Sequence, residues 1–308
     1  MAGTVHVNPA AADHLVLSGV PGSVTAGTPF SVTVTARDFY GNVATSFGGT
    51  VSLTGSGGGT LINGQNTFSV TLFTAGFQSI TASSGGVSSS TAFLTVDPAP
   101  ASHFSVVPAA NPVNAGSAFN VTVTALDPYG NRATTAGTVY TGTVHFTSSD
   151  PSPTLPADYH FVVGDNGAHT FSGVILRTSG NRTVTATDTI SSITGFGIVT
   201  VNPGPATHFG INAPPTAFVG LPFNITVTAL DQFDNQATTS GTAYTGTLHF
   251  TSSDSGAVLP ADYTFVTGDN GAHNFGVTLN TISTQSVTAT DIAQNTITGS
   301  TNITVRPP

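Results

Sequence analysis

The sequence has no cysteine, no lysine, no glutamate and no tryptophan, and a single methionine. Without cysteine, disulfide frameworks and thiolate metal sites are excluded. Charge is sparse, at 6% of 308 residues: the five basic residues are all Arg (Arg37, Arg132, Arg177, Arg182, Arg306), and the fourteen acidic ones are all Asp. Lys and Glu favour exposed helices, so their absence beside abundant Thr, Val, Ser and Gly argues for an all-β chain. A formal net charge of −9 with no basic stripe excludes nucleic acid and anionic membrane surfaces as partners. No run approaches the roughly 18 apolar residues of a spanning helix, so membrane insertion is not expected. No signal peptide is visible either.

What the chain does have is an alternating run followed by a turn, three times. Phe30, Val32 and Val34 precede Ala36-Arg37-Asp38-Phe39-Tyr40-Gly41-Asn42. Phe119, Val121 and Val123 precede Ala125-Leu126-Asp127-Pro128-Tyr129-Gly130-Asn131, and Phe223, Ile225 and Val227 precede Ala229-Leu230-Asp231-Gln232-Phe233-Asp234-Asn235. Residues two apart on a strand share a face, so each run reads as a half-buried β-strand. Asp bonds forward to the backbone, and Gly or Asn accepts positive φ, which makes the following segment a turn.

The repeat phase follows from matching landmarks. Thr141 through Asp150 returns almost unchanged as Thr245 through Asp254, and the first copy replaces this middle with a shorter hairpin around Asn63-Gly64. The expected boundaries are 1–10 (the last strand of a preceding repeat, or a linker), 11–98, 99–203 and 204–308. The segment 1–10 reads this way because Thr4-Val5-His6-Val7-Asn8-Pro9 resembles Thr200-Val201-Asn202-Pro203 and Thr95-Val96-Asp97-Pro98. Met1 then reads as a start added to an excised segment. Pro98-Ala99-Pro100 and Pro203-Gly204-Pro205 are short, stiff links that predict neighbouring domains in or near contact. Within 99–203, strands are expected near 103–106, 119–126, 142–147, 158–163, 169–176, 182–187 and 197–201. Turn signals at this spacing predict an immunoglobulin-like β-sandwich. The fold class is therefore three tandem sandwiches, arranged end to end.

The pattern Phe-x-Val-Thr-Val-Thr-Ala-x-Asp-x-Tyr-Gly-Asn, followed by a Gly-Thr-Val strand and a closing Val-Thr-Val-x-Pro, resembles bacterial immunoglobulin-like repeats of invasin- and intimin-type adhesins and very large secreted proteins. That resemblance covers nearly the whole chain and implies a non-enzymatic stalk or spacer at the cell surface. Neighbouring repeats of the same chain are then its chief partners. Some related arrays bind Ca²⁺ at domain junctions.

The Asp positions carry that last implication. In such a sandwich the second and sixth strands end at one pole, which gathers Asp127, Asp165 and Asp188 in the second repeat. Asp231, Asp269 and Asp291 do so in the third, with Asp234 added where Gly41 and Gly130 stand. The opposite pole carries Asp150 and Asp158, and Asp254 and Asp262. Converging carboxylates with few Arg residues to neutralise them suit Ca²⁺, which takes 6–8 oxygen ligands. The other reading of the same residues is turn chemistry at strand ends, and both stand. The first repeat has Ser83-Ser84 and Asn63-Gly64 at the matching places, so no comparable site is expected there.

Other chemistry finds less footing. Six of the nine His residues recur as His103 and His208, His145 and His249, His169 and His273, without metal-ligand spacing; strand packing or surface is the expected role. No Gly-x-Ser-x-Gly elbow or phosphate loop appears, so no enzyme is expected. Lacking Lys, the chain cannot form Lys–Asn cross-links. A Thr–Gln ester is chemically open, but nothing points to it. Tyr129, Tyr140 and Tyr159, with Phe233, Tyr244 and Tyr263, offer an aromatic platform for carbohydrate, against which stands the lack of Trp. Thr122-Val123-Thr124 matches an ice-binding face only as far as any Thr-rich strand does. Asn120, Asn181, Asn224 and Asn302 satisfy a glycosylation pattern that carries no weight in a bacterial chain. Sparsely charged edge strands make lateral self-association into fibres the alternative to a spacer.

Overall fold

The structure is a computed structural model that describes residues 7–134, 138–238 and 243–308. Among these residues there is no α-helix, only strands and two 3₁₀ turns. Most of Thr4-Val5-His6-Val7 lies outside the described residues, and Val7 to Ala10 forms no regular element.

The second unit shows the plan most clearly. One sheet holds His103–Pro108, Ala118–Leu126 and Ala168–Ile175, in that spatial order. The other runs Val113–Asn114, Thr194–Asn202, Gly180–Asp188, Thr143–Ser148, Tyr159–His160. All pairings are antiparallel except Val113–Asn114, which runs parallel to Thr194–Asn202. Three strands facing five in this order is an immunoglobulin-like sandwich. The third unit repeats it, with Pro222–Leu230 central in the smaller sheet and Thr284–Asp291 in the larger.

In the first unit the smaller sheet is His14–Ser18, Phe30–Arg37 and Gln65–Val70. Its opposite face is divided. Gly76–Ile80 pairs with Ala92–Asp97, whereas Ala82–Ser84 pairs with Thr50–Leu53, so the sixth strand changes partners at Thr81.

Alternation explains the layers. Along Ala118–Leu126 the buried side chains are Phe119, Val121, Val123 and Ala125. The intervening Thr residues face out, and the Thr122 and Thr170 hydroxyls meet at 2.9 Å across the strands. These Thr rows are therefore cross-strand hydrogen-bonded ladders. The inward side chains form three separate cores, spanning Leu15 to Leu94, Phe104 to Val201 and Phe209 to Val305. Each fully buried Val, Leu or Phe contributes roughly 1.5–3 kcal/mol, the main stabilisation available to a chain without disulfides.

Two departures from the sequence reading concern short elements. The strand expected over 158–163 is only Tyr159–His160, after which Val163–Asp165 forms a 3₁₀ turn closed by Asn166 at φ 52°. Val113–Asn114 was not anticipated, because two residues are too few to show a period. These two-residue strands are the edges of the five-stranded sheet and offer little ladder for another chain to pair with.

Candidate functional site

Two of the three recurring turns, those of Asp127 and Asp231, lie where one unit meets the next, and that of Asp38 stands at the front of the first unit. Asp127 follows the last residue of Ala118–Leu126 and is completely buried. Its Oδ1 accepts the backbone N–H groups of Tyr129 (2.9 Å) and Asn131 (2.8 Å), which closes the turn. Its Oδ2 accepts the Asn131 side-chain amide (2.8 Å) and the N–H of Ala99 (3.0 Å), which pins the linker. Asp231 does the same with Phe233, Asn235 and Gly204, and Asp38 with Tyr40, Asn42 and Ala10. Burial alone would raise the Asp127 pKa. The Asn131 side chain and the backbone donors Asn131, Ala99 and Tyr129 outweigh it and hold the carboxyl below its ordinary value. Asp231 and Asp38 are lowered in the same manner, against the same effect of burial.

The Asn that ends the turn reaches into the preceding unit. Asn131 donates through Nδ2 to the Phe73 carbonyl (2.7 Å) and accepts the Ala75 N–H on Oδ1 (2.8 Å). Asn235 donates to the Arg177 carbonyl (2.7 Å) and accepts the Ser179 N–H (2.7 Å). The side-chain amide thus pairs with a carbonyl and an N–H two residues apart, as a neighbouring strand would. Beside it, the Tyr129 ring packs on Phe73 at 5.0 Å, and the Arg177 guanidinium lies over Phe233 at 6.0 Å. Glycines make room for these rings. A Cβ at Gly27 would lie 1.9 Å from Tyr129 Oη, and one at Gly116 would lie 2.5 Å from the Phe233 ring. Pro98, Ala99 and Pro203 are buried in the joints, which removes slack from the linkers.

The opposite pole supplies the receiving loop. Buried Asp150 accepts the N–H groups of Arg177 (2.7 Å) and Thr178 (2.8 Å) and the Thr178 hydroxyl (3.3 Å), so it shapes the segment that Asn235 grips. Asp254 holds Asn280 and Thr281 likewise at the end of the third unit.

These bonds correct the expected convergence of carboxylates. Asp127, Asp165 and Asp188 share an end of the second unit but do not gather. Among the described residues no group of three or more His, Cys, Asp or Glu side chains is placed to hold a metal ion. Asp188 accepts Tyr140 Oη (2.7 Å) and the N–H groups of Ile190 and Ser191; Asp291 accepts Tyr244 Oη, Ala293 and Gln294. Asp165 and Asp269 each cap their own 3₁₀ turn and meet His169 and His273 at 2.9 Å. Asp158 pairs with His145, Asp262 with His249, and Asp234 with His208. Across the second joint, the loop that Asp150 organises meets the turn that Asp231 organises through the Asn235 bridge, not through the carboxylates themselves. With their lone pairs turned to N–H and O–H donors, the buried carboxylates do not fit Ca²⁺.

The carbohydrate platform is also displaced. Tyr140 and Tyr244 are buried, edge-on to Phe104 and Phe209, and Tyr159 and Tyr263 stack on His169 and His273. Tyr129 and Phe233 belong to the joints. Burial, then the hydrogen bond and charge of Asp188, push the Tyr140 hydroxyl far above its ordinary pKa.

Sequence reasoning missed three arrangements. The bridging Asn was read as a residue for positive φ, yet positive φ falls on Gly41, Gly130 and Asp234 instead. A signal was present: Asn closes all three copies while the residue before it changes from Gly to Asp. The Tyr140–Asp188 pair had one too, since the first unit has Phe47 and Ser84 at the matching places. The His–Asp pairs divide: Asp165–His169 and Asp269–His273 are four residues apart and recur with that spacing, whereas His145–Asp158, His249–Asp262 and His208–Asp234 join a strand to a separate loop and left no local signal.

No family model matches the chain, and no curated protein matches it. Among solved structures, the Escherichia coli adhesin FdeC is similar at 20% identity, over 98% of this chain and 100% of its own, with a TM-score of 0.35. Invasin, a bacterial integrin-binding protein, is 15% identical over 95% of this chain and 60% of its own, with a TM-score of 0.34. Domains 1–6 of the surface layer protein SbsC are 16% identical over 97% of this chain and 40% of that one, with a TM-score of 0.28. Bacterial adhesins are thus among the chain's structural neighbours.

Proposed function

We propose that this chain is a mechanical spacer: a stalk segment of a larger bacterial surface or secreted protein that holds another module at a distance, with no catalytic chemistry of its own. The observation that carries this reading is the Asn bridge, repeated at both joints with both of its hydrogen bonds satisfied. Each bridge fixes one unit to the backbone of the last, and the buried Pro linker beside it prevents the bridge from being stretched. The low surface charge and the absence of thiols suit an extracellular setting.

Stiffness in this reading comes from hydrogen bonds within the chain. Each is worth roughly 0.5–1.5 kcal/mol, so two per bridge shift a docked joint by one to two orders of magnitude over an undocked one. Small-angle X-ray scattering tests this directly. Wild type is expected to scatter as one extended particle, whereas Asn131→Ala with Asn235→Ala broadens the distance distribution and lowers the maximum dimension. A wild type already as flexible as the double variant would end the spacer reading.

A further inference from the structure

Each unit ties the segment by which the chain enters to the strand by which it leaves, through a parallel pair. Ser23–Thr25 lies parallel to Thr95–Asp97 in the first unit, and Val113–Asn114 to Val201–Asn202 in the second. In the third, Thr216–Phe218 lies parallel to Thr304–Arg306. The rear end of each pair closes alike: the N–H groups of Ala26, Ala115 and Val219 donate to the carbonyls of Asp97, Asn202 and Arg306. At the front end, the N–H groups of Thr95 and Thr304 donate to the backbone carbonyls of Gly22 and Pro215. In the second unit the register puts Thr200 and Asn111 at those places, and a side chain takes over. The Thr200 N–H donates to Asn111 Oδ1 (2.9 Å), and Asn111 Nδ2 donates to the Ile198 carbonyl (3.2 Å). One exposed amide thus lengthens a two-residue ladder.

We propose that these parallel pairs are load-bearing clamps that keep each unit folded while the chain is under tension, and that the Asn111 side chain completes the clamp of the second unit. The load path follows from the poles. Ala99 is pinned to Asp127 beside the His103–Leu126 pair at the front, and Asn202 ends at the rear joint, where Gly204 is pinned to Asp231. Tension through the two linkers therefore draws the entering segment forward and the last strand rearward. Parallel strands drawn in opposite directions slide along their common axis, so the bonds between them are strained together instead of parting one at a time. Forced unfolding is governed by the unfolding rate and not by equilibrium stability, so a few bonds placed across the load path outweigh many placed elsewhere. A stalk between an anchored end and a held module feels such tension. The clamp rests on that reading for its use, whereas its geometry is independent of it.

The test is single-molecule pulling on the full chain, held by its two ends. Wild type should give three unfolding events, and the shorter first unit should give the smallest gain in length, at roughly 3.3–3.6 Å for each residue released. Asn111→Ala should lower the force of one of the two longer events and leave the other two events intact, which shows that the chain is still folded. At constant force the unfolding rate of that unit should rise on the order of tenfold, as expected from the loss of two hydrogen bonds across the load path. Asn111→Asp keeps the acceptor for Thr200 but not the donor for Ile198, and should fall between the two. The melting temperature of Asn111→Ala should change little, because Ile198 and Thr200 are exposed and their freed backbone groups regain water. Unchanged forces in all three units of Asn111→Ala would overturn the proposal. So would an equal loss in both long events, or a melting temperature that falls in step with the force, since either would place Asn111 outside a clamp. None of these results touches the spacer, whose joint stiffness is read by scattering from the chain at rest. Flexible joints at rest with the forces intact would instead remove the spacer and leave the clamp.

Discussion

At the scale of single residues, the design rests on buried carboxylates saturated by donors. Tyr140 and Asp188 show how tightly such a pair is set: a Cβ at Gly142 would lie 2.1 Å from Asp188 Oδ2 and 2.4 Å from Tyr140 Oη. Tyr140→Phe removes a donor from a buried acceptor and is expected to cost about 1–3 kcal/mol, read as a lower denaturation midpoint. Phe47 at the corresponding place in the first unit costs nothing, since Ser84 replaces the carboxylate there. Gly142→Ala should destabilise the second unit by at least as much through the clash. The acid response follows from the direction of the shifts. Asp38, Asp127, Asp150, Asp188, Asp231 and Asp254 all have folded-state pKa values below the ordinary 3.8. Their contribution is therefore fully present above about pH 4 and is lost as pH falls through the lowered values. Thermal melts from pH 7 to pH 2 should be level down to about pH 4 and then drop.

At the scale of elements, legibility tracked repetition and length. The strands Ala118–Leu126 and Gly180–Asp188 were readable because nine residues carry four and three buried positions in alternation, enough for a period of two to stand out. The two-residue edge strands were not, since pairing with a neighbour defines them and no internal pattern does. The turn was readable as a turn but not as a joint. Its Asp and Gly follow local rules, whereas the Asn bridge depends on a loop more than fifty residues away. The same distinction explains the Ca²⁺ expectation. The sequence marks these acids as strand-end residues, but which donors saturate them is decided by backbone N–H groups that no residue letter reveals. Gly116→Ala tests the joint as an element: the added methyl displaces the Phe233 ring and strains a backbone held at φ 80°. It should loosen the second joint in scattering while the melt of the third unit changes little.

At the scale of the whole molecule, three cores are coupled through two small contacts. Melts in excess chelator and in millimolar Ca²⁺ should coincide, because the joint carboxylates already have their donors. A Ca²⁺-dependent rise in melting temperature that Asp231→Ala abolishes would show that a cation does enter there. The Asn131→Ala, Asn235→Ala double variant should bend freely, and because each Asn also donates to a buried Asp of its own unit, the second and third cores should melt several degrees lower while the first keeps its wild-type melting temperature. The Asn bridge engages only main-chain atoms of the unit before it: Phe73 and Ala75 at one joint, Arg177 and Ser179 at the other, with no side chain in common. A connector whose hydrogen bonds need only a neighbour's backbone, and whose aromatic ring needs a glycine there, lets units that keep that glycine be duplicated, deleted or reordered by recombination. A gene built of such modules can lengthen or shorten its product in single steps.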